Sequence, residues 1–263
     1  MLGKLLKYDL KWIYRVIVVF YILALIFSIL TRIFLSIENS LLFNIIGKIV
    51  NGAMIGMIIS CLINGFIRSW VRFINNIYKD ESYLTHTLPV EKKNIYLSKV
   101  LTAILCSFTT VIVAITCLFI SYYTKDNMEI LKSTLELTAN TYNITVINLL
   151  LIISFVIFLE IVFIILVGYV GIIIGHKSNK NKMLNSIVVG IGLYLVTSNL
   201  TLGIVFIIGL FDKSIMNIIN TTDIVNVDAI KNVMISGIGI YIIYNILYYL
   251  IGKTLLKKGV NVD

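Results

Sequence analysis

A chain of 263 residues that is 59% hydrophobic and 13% charged is too apolar for a water-soluble domain, where about a quarter of the residues carry charge. With a single proline and no alternating ten-residue segments of the barrel kind, it reads as an all-α membrane protein. The net charge of +9 does not indicate nucleic acid, because the Lys and Arg residues flank apolar runs instead of forming one basic face.

In chain order, Leu2, Leu5, Leu6, Leu10 and Ile13 come first, at helical spacing with Lys4, Lys7 and Lys11 between them. This pattern predicts an N-terminal interfacial helix lying on the inner membrane surface, or equally an inward extension of the first span. A bilayer core takes about 20 apolar residues in helix. Runs of that kind predict six transmembrane helices at roughly residues 16–35, 41–67, 99–124, 146–175, 183–211 and 232–252, within one transmembrane domain over 1–263. The first run is long and lacks a small-residue cleavage site, so it reads as a retained span and not as a signal peptide.

Sixteen Lys and Arg fall on the side of the N-terminus, the 68–98 loop with Lys99, the turn at 177–182 and the C-terminal tail. Six fall on the other side, namely Arg32, Lys48, Lys125, Lys132, Lys213 and Lys231. This asymmetry places both termini in the cytoplasm. Two outward segments, 125–145 and 212–231, are long enough to hold structure of their own.

The apolar runs contain few chemical groups. Cys61, Cys106 and Cys117 all lie inside them and read as small core hydrophobes. Gly52-x-x-x-Gly56-x-x-x-Ser60 and Gly171-x-x-x-Gly175 permit close helix approach, either within the chain or against a second one. Glu160 is the acidic residue well inside a span, and is therefore a candidate membrane-depth polar site. It would line a path, carry a proton, or bond to a neighbouring helix. Gly252-Lys253-Thr254 lacks the glycine that a phosphate loop needs at position 247, which is Leu. The only histidines, His86 and His176, sit in different loops near membrane edges, and no catalytic set is visible, so the chain does not read as an enzyme.

The long polar stretch is 68–98. Trp70, Phe73, Ile74 and Ile77 form an i, i+3, i+4, i+7 stripe there, followed by Tyr78, Asp80, Glu81 and Leu84 and then Leu88-Pro89. Pro89 suits the first turn of the helix that becomes the third span. The stripe reads either as an interfacial helix held by lipid or as a helix docked into a groove on a cytoplasmic partner.

Tyr78-Lys79-Asp80-Glu81, Leu88-Pro89-Val90 and Leu97-Ser98-Lys99 resemble the permease subunits of bacterial type-2 ATP-binding-cassette transporters. Six spans, cytoplasmic termini and an enlarged loop between spans two and three extend the resemblance over nearly the whole chain. It implies a six-span exporter half in the bacterial cell membrane. The partners would be a cytoplasmic ATPase subunit and a second permease chain. ATP and Mg would be bound by the ATPase, with no cofactor in this chain. By the same resemblance Trp70, Phe73, Ile77, Tyr78, Asp80, Glu81 and Leu84 form the ATPase-coupling helix. The implied cargo is amphipathic or hydrophobic: an antimicrobial peptide, a drug or a lipid-like molecule. An ATPase-independent secondary transporter and a non-transporting anchor or sensor subunit are the alternatives.

Overall fold

The computed structural model describes residues 2–37, 41–87, 89–211, 215 and 227–259. Among them are eight helices and no strand: α1 (Leu2–Leu35), α2 (Leu41–Ile77), α3 (Ser82–Thr87), α4 (Lys92–Tyr122), α5 (Lys125–Thr141), α6 (Val146–Gly175), α7 (Lys182–Phe211) and α8 (Val227–Lys257). Six of these, α1, α2, α4, α6, α7 and α8, are long and apolar enough to cross a membrane. Helix is what such sequences require, since in hydrocarbon each backbone N–H and C=O must find its partner within the segment. Most of the segment 212–231, expected to face outward, and Leu88 of the Leu-Pro pair lie outside the described residues.

The N-terminal amphipathic stretch is not a separate helix. It forms the first turns of α1, which runs for 34 residues, about 51 Å at 1.5 Å per residue, against a hydrocarbon core of about 30 Å. No Gly or Pro lies between Lys4 and Leu35 to break it, and one buried stripe (Asp9, Ile13, Ile17, Tyr21, Ala24, Ser28, Thr31) continues through the expected junction. Likewise α2 runs unbroken from the second span through the Trp70–Ile77 stripe, and only the six-residue α3 stands apart. Pro89 precedes α4 instead of entering its first turn, because the helix begins at Lys92 with Glu91 as its N-cap.

The described residues fall into two compact units, 2–130 and 131–259. In the first, α1, α2 and α4 pack around Ile13, Ile17, Tyr21, Met54, Ile58, Cys61, Cys106 and Cys117. The three cysteines are free and buried. Polar rungs join α1 to α4: Tyr14 to Thr109 at 2.7 Å, Tyr21 to Thr110 at 2.6 Å and Ser28 to Ser121 at 2.8 Å.

In the second unit α6 packs against both α7 and α8. The α6–α7 contact is backbone on backbone. A methyl group on Gly171 would lie 2.6 Å from the Gly190 Cα, and one on Gly175 would overlap the Ser186 backbone. His176 closes this end: its buried Nδ1 lies 2.9 Å from the Ile172 carbonyl oxygen and 3.0 Å from the Ser186 hydroxyl. Of the two small-residue motifs, then, Gly171/Gly175 is used inside the chain. A methyl group on Gly52 or Gly56 would meet nothing within 4 Å among the described residues.

Candidate functional site

Each unit holds one polar constellation. In the first unit it lies where α2 leaves its apolar run. Asp9 enters from α1, Arg72 and Asn76 from α2, Glu81 from the turn after α2, and Lys99 from α4. Lys99 Nζ donates to both carboxylate oxygens of Asp9 at 2.7 Å, and Arg72 Nε donates to Asp9 Oδ1 at 2.8 Å. The guanidinium then reaches the other way, with Nη1 donating to the two oxygens of Glu81 at 2.8 and 2.7 Å. Asn76 bridges the halves: its amide N–H donates to Glu81 Oε2 at 2.6 Å, and its carbonyl oxygen accepts from Lys99.

Two carboxylates and two cations leave this quartet neutral. Its Asp9, Arg72 and Lys99 side chains are 4%, 9% and 3% exposed, so each charge depends on the others in place of water. Glu81, at 39%, is the member that reaches the surface. Trp12 covers the cluster, with the Arg72 guanidinium 5.3 Å and that of Arg68 5.9 Å from its ring centroid.

This arrangement sorts the residues expected to couple to an ATPase. Phe73, Ile77 and Tyr78 are at most 2% exposed and belong to the core of the unit; the Phe73 ring stands edge-on to Tyr96 with centroids 6.4 Å apart. Trp70 is half-buried, stacked on Phe66, with its indole N–H buried and unpartnered among the described residues. Glu81 is turned inward to Arg72 and does not pair with Asp80 as an outward acidic turn. Asp80 and Leu84 do face outward, beside Tyr83. The turn is tight: Glu81 N–H donates to Asn75 O at 3.3 Å, Ser82 N–H to Lys79 O at 2.7 Å, and the Thr85 hydroxyl to Glu81 O at 2.9 Å.

Asp9, Arg72, Asn76 and Lys99 were not legible as a site. Arg72 and Lys99 read as orientation charges, and Asp9 carries no reading from sequence. A signal was nevertheless present: Asp9 shares the helical face of Leu2, Leu5, Leu6 and Ile13, where an acidic residue needs a buried cation.

The second constellation surrounds Glu160, halfway along α6. The Tyr194 hydroxyl of α7 donates to its Oε1 at 3.4 Å, and Tyr241 of α8 is within reach of the same carboxylate. One turn on, the Phe163 ring is enclosed by four tyrosines, with centroids 5.8 Å to Tyr194, 5.3 Å to Tyr241, 6.2 Å to Tyr244 and 5.7 Å to Tyr248. Tyr248 shares a 2.6 Å hydrogen bond with Thr197. Asn245 donates to the Leu159 carbonyl at 3.1 Å, leaving its Oδ1 buried and, among the described residues, unpartnered. No ion pair to Glu160 exists among the described residues. A charge at mid-bilayer costs upward of about 2.5 kcal/mol, and a single 3.4 Å phenol bond would offset little of it. No protein-family model, no curated protein and no solved structure matches this chain.

Proposed function

We propose that the chain is the permease half of an ATP-driven exporter in a bacterial cell membrane, with both termini cytoplasmic and a separate ATPase subunit docking on the turn between α2 and α4. The observation that supports this reading is the wiring of that turn. Asp80, Tyr83 and Leu84 offer an outward face. The neighbouring Glu81 is tied through Arg72 and Asp9 to Lys99, and so to α1, α2 and α4 together. A partner pressing on the outward face moves three spans as a body, which is what conversion of ATPase closure into rearrangement of a transport path requires. ATP and Mg belong to the ATPase. A second permease chain completes the path, and the cargo is amphipathic or hydrophobic.

The test is affinity purification from the native membrane. We expect an ATPase subunit to co-purify with the wild-type chain and to be lost from the Asp80→Lys, Leu84→Glu variant, both positions being exposed and outside the ionic quartet. A chain that purifies alone overturns the reading. Glu160, with no charged partner among the described residues, then becomes the focus of an ATPase-independent transporter.

A further inference from the structure

We propose that the wall formed by Glu160, Tyr194 and Tyr241 binds the head group of an amphipathic organic ammonium ion at mid-membrane height. The three residues lie near the midpoints of α6, α7 and α8, so they meet at one level. At that level the three helices, among the described residues, supply an anion and no cation. α6 contains no Lys or Arg, α7 begins with its only one, Lys182, and α8 carries Lys231, Lys253 and Lys257 toward its ends. Even Lys231 lies ten residues from Tyr241, about 15 Å along the axis, farther than a lysine side chain extends.

The wall is also open. Tyr194 is 38% exposed, Glu160 and Tyr241 are half-buried, and α7 buries only Ser186, Thr197 and Gly209. Beneath it Phe163, 1% exposed, holds the tyrosine rings in place. A carboxylate set among tyrosine side chains, in apolar surroundings, suits a diffuse, weakly hydrated cation carrying apolar substituents. It does not suit Ca or Mg, which take about six or more oxygen ligands. A ligand with an apolar body reaches the wall from the acyl region that α7 faces. Binding requires no ATPase; only the direction in which a bound cation travels rests on the exporter reading.

The experiment uses the full chain in phosphatidylcholine nanodiscs, with partition into empty discs subtracted. Equilibrium binding of dodecyltrimethylammonium is compared with that of its neutral isostere, in which carbon replaces the charged nitrogen. We expect saturable binding of the cation, weakened about tenfold or more by Glu160→Gln and about three- to tenfold by Tyr241→Leu. The neutral isostere should bind both Glu160 forms equally and weakly. Three results overturn the proposal: no saturable binding; cation affinity unchanged in Glu160→Gln, as expected if Glu160 only ever holds a proton; or equal loss of cation and isostere, which marks a general apolar surface. A sharp, monodisperse elution profile of each variant establishes that it is folded.

Discussion

The two units treat buried charge in opposite ways. In the first, Asp9 is met by a lysine and an arginine at 2.7 and 2.8 Å, and the four charges cancel. In the second, Glu160 is met by one 3.4 Å phenol bond and a tyrosine nearby. Compensation in the first unit is internal and complete, so its charges fasten helices together. In the second it is incomplete, and an incompletely satisfied carboxylate at membrane depth is poised for something from outside the chain. Charged residues in apolar surroundings thus divide by whether their partners are present, and burial alone does not separate a brace from a binding site.

The largest effect should come from breaking the brace. Asp9→Ala leaves Lys99 and Arg72 buried with only Glu81 and Asn76 between them, and we expect a loss of about 3–5 kcal/mol, read as a sharp fall in thermal unfolding temperature in detergent. Replacing both members, Asp9→Leu with Lys99→Met, should lose less than either single change, since no charge is then stranded. A double variant weaker than the sum of the two would show that the pair's role is not mutual neutralisation.

Next in size is the helix contact of the second unit. Gly175→Ala sets a methyl group into the Ser186 backbone and should cost about 1–3 kcal/mol, whereas Gly52→Ala, which meets open space, should stay within about 0.5 kcal/mol. Equal effects at both glycines would mean that the Gly52 face is covered in the assembled protein. Smaller and opposite in sign to Asp9→Ala, Glu160→Gln should raise the unfolding temperature, by the equivalent of about 1–2 kcal/mol, because it removes a charge without a charged partner. A fall would place Glu160 with Asp9 as a brace and erase the contrast between the units. Smaller again, Tyr21→Phe removes one rung to Thr110, worth about 0.6 kcal/mol in a membrane interior.

The spans were legible because apolar length is a one-dimensional property. Six runs predicted six helices, and Leu41 was already placed at the start of the second. Continuity was not legible at α1 or α2: amphipathic spacing at Leu2–Ile13 and Trp70–Ile77 is the same whether lipid, a partner protein or the chain itself covers the apolar face. At Trp70–Ile77 the chain itself buries Phe73, Ile74 and Ile77, while at Leu2–Ile13 it buries Asp9 and Ile13 and leaves the leucines half-buried. Glu160 stood out because a lone carboxylate within an apolar run is conspicuous in sequence. Its tyrosines did not, since Tyr194 and Tyr241 are distant in sequence and tyrosine is common at membrane edges. The quartet stayed hidden for a related reason, as Asp9 and Lys99 acquire meaning only from a pairing about ninety residues apart.

That separation bears on how the chain is made. Asp9, Tyr14, Tyr21 and Ser28 find their partners on α4 at 90, 95, 89 and 93 residues' distance. At ribosomal rates of about 5–20 residues per second, α1 leaves the ribosome roughly 5–20 s before the segment that satisfies it. Throughout that interval α1 carries a row of idle hydroxyls, and its aspartate lacks Lys99. Membrane insertion of this protein therefore includes a waiting period, during which α1 must be sheltered by the insertion machinery or by the emerging α2, whose Arg72 is the first cation able to claim Asp9.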